Sequence, residues 1–355
     1  MSVTIAPNNA NIIYSPYNWN RTAARALTIN PGAYFRVALV GAPTSIAMTF
    51  DMSNIGEELP QIKWRIDGGA WAFADMAASI PVTVPTDNAW GKHVLEMVVM
   101  TTAAVGSRWN SPWPNGVKFT GLVCSDGTTT AAMTRRPLHG LIFGDSITEG
   151  HRTLKNQTVT TFNNKTYSDA TVTWSWLLGD AIGAEIGVVG FASQGYTTQG
   201  GGFVPVFPDT WDFIYSGAAR PVSDPVAPDF IIINHGRNDP LNGSPQAAIT
   251  ATLNEMLAAY PATTKIIMLE AFEGNWGDAH ASIVASINNP RLVFVPTEGW
   301  VSMATDALDG VHPTGYAGLT QLAPRTAAAV REVLGTGSTA VEKRWVKTSA
   351  GLVQF

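Results

Sequence analysis

Ser146, Asn238, Asp309 and His312 are side chains whose types and spacing could carry chemistry together. Ser146 stands in Leu138-His139-Gly140-Leu141-Ile142-Phe143-Gly144-Asp145-Ser146-Ile147-Thr148-Glu149-Gly150, where an apolar run stops abruptly at Gly144-Asp145-Ser146. A buried strand that ends at a glycine beside a serine presents a hydroxyl at the carboxyl edge of a parallel sheet, where α/β enzymes place ligands. Serine alone is a poor nucleophile and needs a base and a group that orients the base. Asp309-Gly310-Val311-His312-Pro313 offers both. An Asp three residues before a His can reach that ring's Nδ1 across one turn, which leaves Nε2 to face a serine. A third segment, Asn234-His235-Gly236-Arg237-Asn238-Asp239, follows the apolar run Phe230 to Ile233 and sets an amide at the end of a second strand.

Taken in order, Gly144-Asp145-Ser146 with Ile147-Thr148-Glu149-Gly150, then Gly236-x-Asn238-Asp239, then Asp309-x-x-His312-Pro313 resemble the SGNH (GDSL) hydrolase superfamily over roughly Pro137 to Leu334. The resemblance implies a flavodoxin-like α/β domain and a serine ester hydrolase. It also implies three oxyanion donors: the Ser146 N–H, the Gly195 N–H and the Asn238 amide. Gly195 is the best match to the family's second block, in a segment, Ala192-Ser193-Gln194-Gly195-Tyr196-Thr197, that departs from the usual pattern. In such an enzyme Ser146 attacks the carbonyl, His312 takes its proton and returns it to the leaving alcohol, and Asp309 holds the tautomer. Each residue also has a structural reading: Ser146 as a helix cap, Asp309 as a turn former, His312 as a surface ring. All three would have to hold at once for the constellation to be accidental.

Around these residues, Asp145 and Asp239 are expected to bond backbone amides of the strand-end loops, and Glu149 suits the first turn of a helix. Arg237 is expected either in a salt bridge to a loop carboxylate or as a selector of acidic substrates, the salt bridge being favoured. Phe203, Arg237, Trp211 and Trp276 are the candidate substrate-binding positions. His151, Arg152 and His235 receive no catalytic role.

A net charge of −5 with scattered Lys and Arg leaves no footprint for nucleic acid or an anionic membrane. Charged residues make up 14% against 45% apolar, which suits a well-buried chain with a weakly charged surface. Cys124 is the single cysteine, so neither an intrachain disulfide nor a cysteine metal cluster can form, and no metal or cofactor is expected. No apolar run approaches the ~20 residues of a membrane span. Met1–Pro7 lacks the basic start and apolar core of a signal peptide. The chain is expected in the cytoplasm as synthesised, unless a leader was trimmed or it leaves by another route, such as within a virion.

The elements that must position the site divide into two grammars. Residues 1–135 read as an all-β, jelly-roll-like sandwich: short alternating runs separated by turn residues. Ile62–Ile66, Asp67-Gly68-Gly69 and Ala70–Phe73 form a hairpin signal. This half holds six of the twelve tryptophans, Trp19, Trp64, Trp71, Trp90, Trp109 and Trp113. Core packing is the favoured reading for them, with a sugar-stacking platform at Trp109 and Trp113 as the alternative. A sandwich ahead of a GDS-type domain resembles the layout of some two-domain carbohydrate esterases. After Thr134–Pro137, residues 136–335 read as alternating strand and helix. Strands are expected at 138–143, 186–189, 230–234, 265–269 and 292–295, with helices at 174–182, 246–259 and 315–334. The aromatic-rich segment between Tyr196 and Pro228 is expected to wall the acyl or leaving-group pocket. The tail, 336–355, has the pattern of a hairpin, folded onto the first domain or used between subunits.

A serine esterase acting on short acyl groups, acetyl above all, of a small-molecule or polysaccharide ester is the reading these residues favour; oligomeric state is left open. Two rivals stand beside it. A metal-dependent phosphoesterase needs several His and Asp ligands around two ions. A glycan-binding or virion-structural protein with a decayed hydrolase domain would have no physical need to keep all four residues. The absence of G-x-S-x-G excludes the usual α/β-hydrolase elbow around the serine.

Overall fold

The structure is a computed structural model and describes residues 2–86, 91–102, 107–154, 164–274, 276–336, 345–348 and 351–354. Trp90 and Asn163 lie outside them.

Alternation in the first half becomes two antiparallel sheets. In Ile46–Phe50 and Ser79–Val82 every second side chain is buried, as half-covered strands require. One sheet runs Asn20–Arg21, Ala26–Thr28, Val117–Ser125, Ile46–Phe50, Ser79–Val82, with Ser2–Ile5 also on Val117–Ser125. The other runs Thr129–Ala131, Tyr34–Val40, Lys92–Thr101, Gln61–Ile66, Ala72–Asp75, with Ile13–Tyr14 on Tyr34–Val40. The expected hairpin is present: Trp64 pairs with Ala72, and Asp67 and Gly68 both take positive φ between the strands. Phe35, Val37, Leu39, Met97, Val99, Phe119 and Leu122 fill the space between the sheets. No helix precedes Ser146 among the described residues.

The second half is a five-stranded parallel sheet of Leu138–Gly144, Ala184–Gly190, Phe230–Asn234, Lys265–Leu269 and Leu292–Val295. Numbered along the chain, its order is 2-1-3-4-5, the flavodoxin-like arrangement. Phe230–Asn234 and Ala184–Gly190 are buried throughout, the first inside the sheet and the second, at its edge, against Pro16, Tyr17 and Asn18 of the β half. Leu141 and Phe143 point to one face, with Ile231, Ile233, Ile249, Leu253 and Met256. Ile142 points to the other, with Trp174, Leu178, Ile232, Ile267 and Val330.

Three elements depart from expectation. Gly277–Ile287 is a helix with no forecast in the sequence. The closing helix is continuous in extent but passes through a π turn at Gly318–Leu322 before Ala323–Val333. The segment from Tyr196 to Pro228, expected to wall a pocket, buries Phe207, Trp211, Ile214 and Tyr215 in the sheet's core, while Phe203 stays exposed. Trp345–Thr348 and Gly351–Gln354 pair antiparallel, as a hairpin does.

The two halves share that core. Tyr17, Leu27, Ile29 and Trp109 pack in one cluster with Val189, Phe191 and Tyr215. Ion pairs cross between them: Arg21 with Asp224, Arg36 with Glu185, Lys63 with Asp169 at 2.5 Å, and Arg108 with Glu149 at 2.7 Å.

Candidate active site

Ser146 opens a four-residue helix, Ser146–Glu149, directly at the carboxyl end of the first strand of the parallel sheet. Asp145 caps it, its Oδ1 accepting the Ile147 N–H at 2.9 Å. The helix sits hard against the strand ends because two strands end in glycine. A Cβ on Gly144 would lie 2.0 Å from Thr148 Oγ1, and one on Gly190 would lie 2.8 Å from the Glu149 nitrogen. The Ser146 N–H, first in the helix, has no acceptor among the described residues.

The structure brings Ser146, His312 and Asp309 together. His312 Nε2 stands 2.9 Å from Ser146 Oγ, and His312 Nδ1 stands 2.9 Å from Asp309 Oδ2. The second carboxylate oxygen of Asp309 accepts the backbone N–H groups of His312 at 2.8 Å and Val311 at 3.1 Å, which closes the turn. Burial would raise the Asp309 carboxyl, but the ring and N–H of His312, followed by Arg152, outweigh it and hold the group well below the usual carboxylate range. Ser146 and His312 are 7% and 9% exposed, at the carboxyl edge of the sheet where α/β folds place ligands.

Asn238 also comes to this edge. Its Nδ2 donates to Asp145 Oδ2 at 2.8 Å and, more weakly, to the Gln194 carbonyl at 3.2 Å. Asp145 is enclosed, and burial pushes its carboxyl up to about 6 despite the Ile147 N–H. Asp239 bonds the Tyr196 and Thr197 N–H groups at 3.0 and 2.7 Å, the loop-holding role expected of it.

Three expectations need correction. The Gly195 N–H donates to the Thr198 carbonyl at 2.9 Å, inside its own turn, so it does not stand free as an oxyanion donor. Trp211 is 7% exposed, packs on Tyr260 and points its Nε1 at Glu255, 3.4 Å away, so it lines no open pocket. Among the described residues Arg237 makes no salt bridge; its guanidinium donates to the carbonyls of Phe272, Glu273 and Gly310. Of the remaining substrate positions, Phe203 is 64% exposed and Trp276 is half-buried, its Nε1 3.4 Å from the Asp239 carbonyl. Trp109 is buried edge-on to Phe191 and so forms no sugar platform, while Trp113 is half-buried with its ring tilted against Tyr215.

Three residues to which the sequence reading gave no role in catalysis contact the site. Arg152 Nη1 donates to Asp309 Oδ2 at 3.0 Å. The His151 ring lies 5.0 Å from that of His312 and is held to about 3, by burial first and then by His312 and Arg152. Arg108, from the β half, reaches Glu149 and the Gly190 carbonyl. A single sequence carries no signal for such long-range partners.

Residues 141–290 match the model of the GDSL-like lipase/acylhydrolase family. This stretch is a GDSL-like acylhydrolase domain. The matched stretch holds the first two of the three sequence blocks, and the family's chemistry is that of a carboxylic ester hydrolase. Among solved structures, a family two carbohydrate esterase from Cellvibrio japonicus superposes with a TM-score of 0.75 at 18% identity, covering 94% of this chain and 98% of its own. An acetyl xylan esterase from Butyrivibrio proteoclasticus gives 0.73 at 13%, with 94% and 98% covered. A family two carbohydrate esterase from Clostridium thermocellum, in complex with cellohexaose, gives 0.69 at 18%, with 91% and 99% covered. These identities establish a shared fold across both halves. No curated protein sequence matches.

Proposed function

We propose that the chain removes short acyl groups, acetyl above all, from a carbohydrate through an acyl-enzyme on Ser146. The observation that carries this reading is the unbroken line of contacts from Ser146 Oγ through both ring nitrogens of His312 to Asp309. The likeness in fold to carbohydrate esterases, one an acetyl xylan esterase and one holding cellohexaose, supports the substrate class.

Ser146 Oγ attacks the ester carbon while His312 Nε2 takes its proton, and Asp309 offsets the charge on the imidazolium. The oxyanion meets the Ser146 N–H and the Asn238 amide. One hydrogen of that amide is anchored on Asp145; the other makes only the longer bond to Gln194 and turns to the substrate. His312 then protonates the leaving alcohol, and water attacks the acyl-enzyme by the same route in reverse. Phe203 and Trp276 offer aromatic faces for a sugar.

Hydrolysis of p-nitrophenyl acetate, butyrate and octanoate beside acetylated polysaccharides, with Ser146→Ala as control, tests both parts. Acetate release that disappears in Ser146→Ala supports the reading, and activity surviving in that variant ends it. A fluorophosphonate should inactivate the protein and a chelator should not, which separates it from a metal-dependent phosphoesterase. Among the described residues no three His, Cys, Asp or Glu side chains are grouped as such an enzyme's ligands are.

A further inference from the structure

Resting on the reading of Ser146, His312 and Asp309 as the catalytic relay, we infer that Arg152 is a positioning residue of that relay, a cation behind the carboxylate that sets how far into acid the enzyme works. Its Nη1 donates at 3.0 Å to Asp309 Oδ2, the same oxygen that faces His312 Nδ1 at 2.9 Å. The guanidinium is therefore within two hydrogen bonds of the base.

The placement is built into the backbone. Arg152 takes φ 56°, the left-handed region that costs a non-glycine residue energy. It is held there by its N–H on Ser168 Oγ at 3.0 Å. The residues beside it are tied as well: His151 N–H to the Ser146 carbonyl, Leu154 N–H to the Tyr167 carbonyl, and the Thr153 carbonyl to the Gly315 N–H. Lys63 of the β half grips Asp169 and Thr171 in the adjoining loop. One strained residue thus links the serine segment to the Asp309–His312 turn, alongside the Ser146 Oγ–His312 Nε2 contact and the His151–His312 ring contact.

A positive charge at that distance opposes a proton on the ring and weakens the pull of Asp309 on it. The other charged or titratable groups facing His312 come from several elements. Asp145 ends the first strand, Glu149 and His151 lie on the serine helix and its exit, and Arg237 comes from the third strand's loop. Glu149 is neutralised by Arg108. The His151 ring stays uncharged through the range of the assay. None of these touches Asp309, so a change at Arg152 alone alters the charge behind the carboxylate.

The test is the pH profile of kcat/KM on p-nitrophenyl acetate, from roughly pH 5 to 9, in wild type, Arg152→Gln and Arg152→Lys. Without the cation the ring holds its proton to higher pH, so the acid limb should move up by about half a unit to one unit in Arg152→Gln. The limb should stay near wild type in Arg152→Lys, which restores the charge. Arg152→Met, which keeps the apolar stem, serves in place of the glutamine variant should that fail to fold. Limbs that superimpose in wild type and the neutral variants overturn the inference, as does a lysine variant displaced as far as glutamine. Loss of activity in Ser146→Ala with superimposed limbs would remove Arg152 and leave the esterase reading standing. Activity retained in Ser146→Ala would remove the relay itself.

Discussion

One N–H of the Asn238 amide is committed to Asp145, and that anchor aims the other. Removal of an oxyanion donor typically costs roughly 10²–10³ in rate. Asn238→Ala is expected to lower kcat on that scale with little change in KM, and near-wild-type turnover would take Asn238 out of the hole. His235 and His280 are buried neutral beside Tyr196, and burial holds both rings to about 4. Unfolded, each would titrate near 6.5, so between about pH 4 and 6.5 the unfolded chain binds more protons than the folded one. Stability should therefore rise with pH across that window and be lost on acidification, by a few kcal/mol at the limit. Asp145, raised to about 6, and Glu149, also raised by burial, have the opposite sign, while His151, held to about 3, adds to the two rings. Urea unfolding at pH 7 and pH 5 measures the difference; equal midpoints would contradict the assignment.

At the scale of elements, the serine is presented by a helix of only four residues, too short to hold itself up. Contact with neighbouring strand ends does that work. Gly190→Ala would press a Cβ to 2.8 Å from the Glu149 nitrogen and 3.0 Å from its Cα, backbone that has nowhere to retreat. The expected cost is about 1–3 kcal/mol in stability, with a fall in kcat as Ser146 shifts against His312. Thermal unfolding and turnover on p-nitrophenyl acetate check the two effects together, and an alanine variant unchanged in both would refute the close-contact account. The helix Gly277–Ile287 escaped the sequence reading for a related reason. Only His280 and Ile283 are fully buried on it, so its apolar period is faint, whereas Ile249, Leu253, Met256 and Leu257 mark Gln246–Ala259 plainly.

For the whole molecule, the β half braces the site. Arg108 enters from it to pair with Glu149, the last residue of the serine helix, and both partners are buried. Burial raises the Glu149 carboxyl, and Arg108 opposes that rise. Arg108→Met would leave a buried carboxylate without its partner, a change that typically costs about 3–5 kcal/mol. Activity should fall with stability, and the double variant Arg108→Met, Glu149→Gln should recover part of both, since it removes the stranded charge. A double variant no better than the single one would count against the pair. Tyr17, Leu27, Ile29 and Trp109 complete a core cluster with the parallel sheet, so the halves are packed as one body.

What the sequence by itself determined is what short stretches of chain decide. Apolar runs that stop at Gly144 and Asn234 mark two strand ends, and Asp309 three residues before His312 makes a turn whose hydrogen bonds are local. The flavodoxin-like sheet and the family follow from those patterns. Tertiary structure alone decided where the Gly195 N–H points, that Trp211 is core, that Arg237 holds carbonyls, and which cations stand behind Asp309 and Glu149. Apart from the Gly195 turn, those outcomes depend on separate segments meeting within hydrogen-bond distance, from Arg237 with Glu273 to Arg152 with Asp309, and local pattern carries no term for that approach.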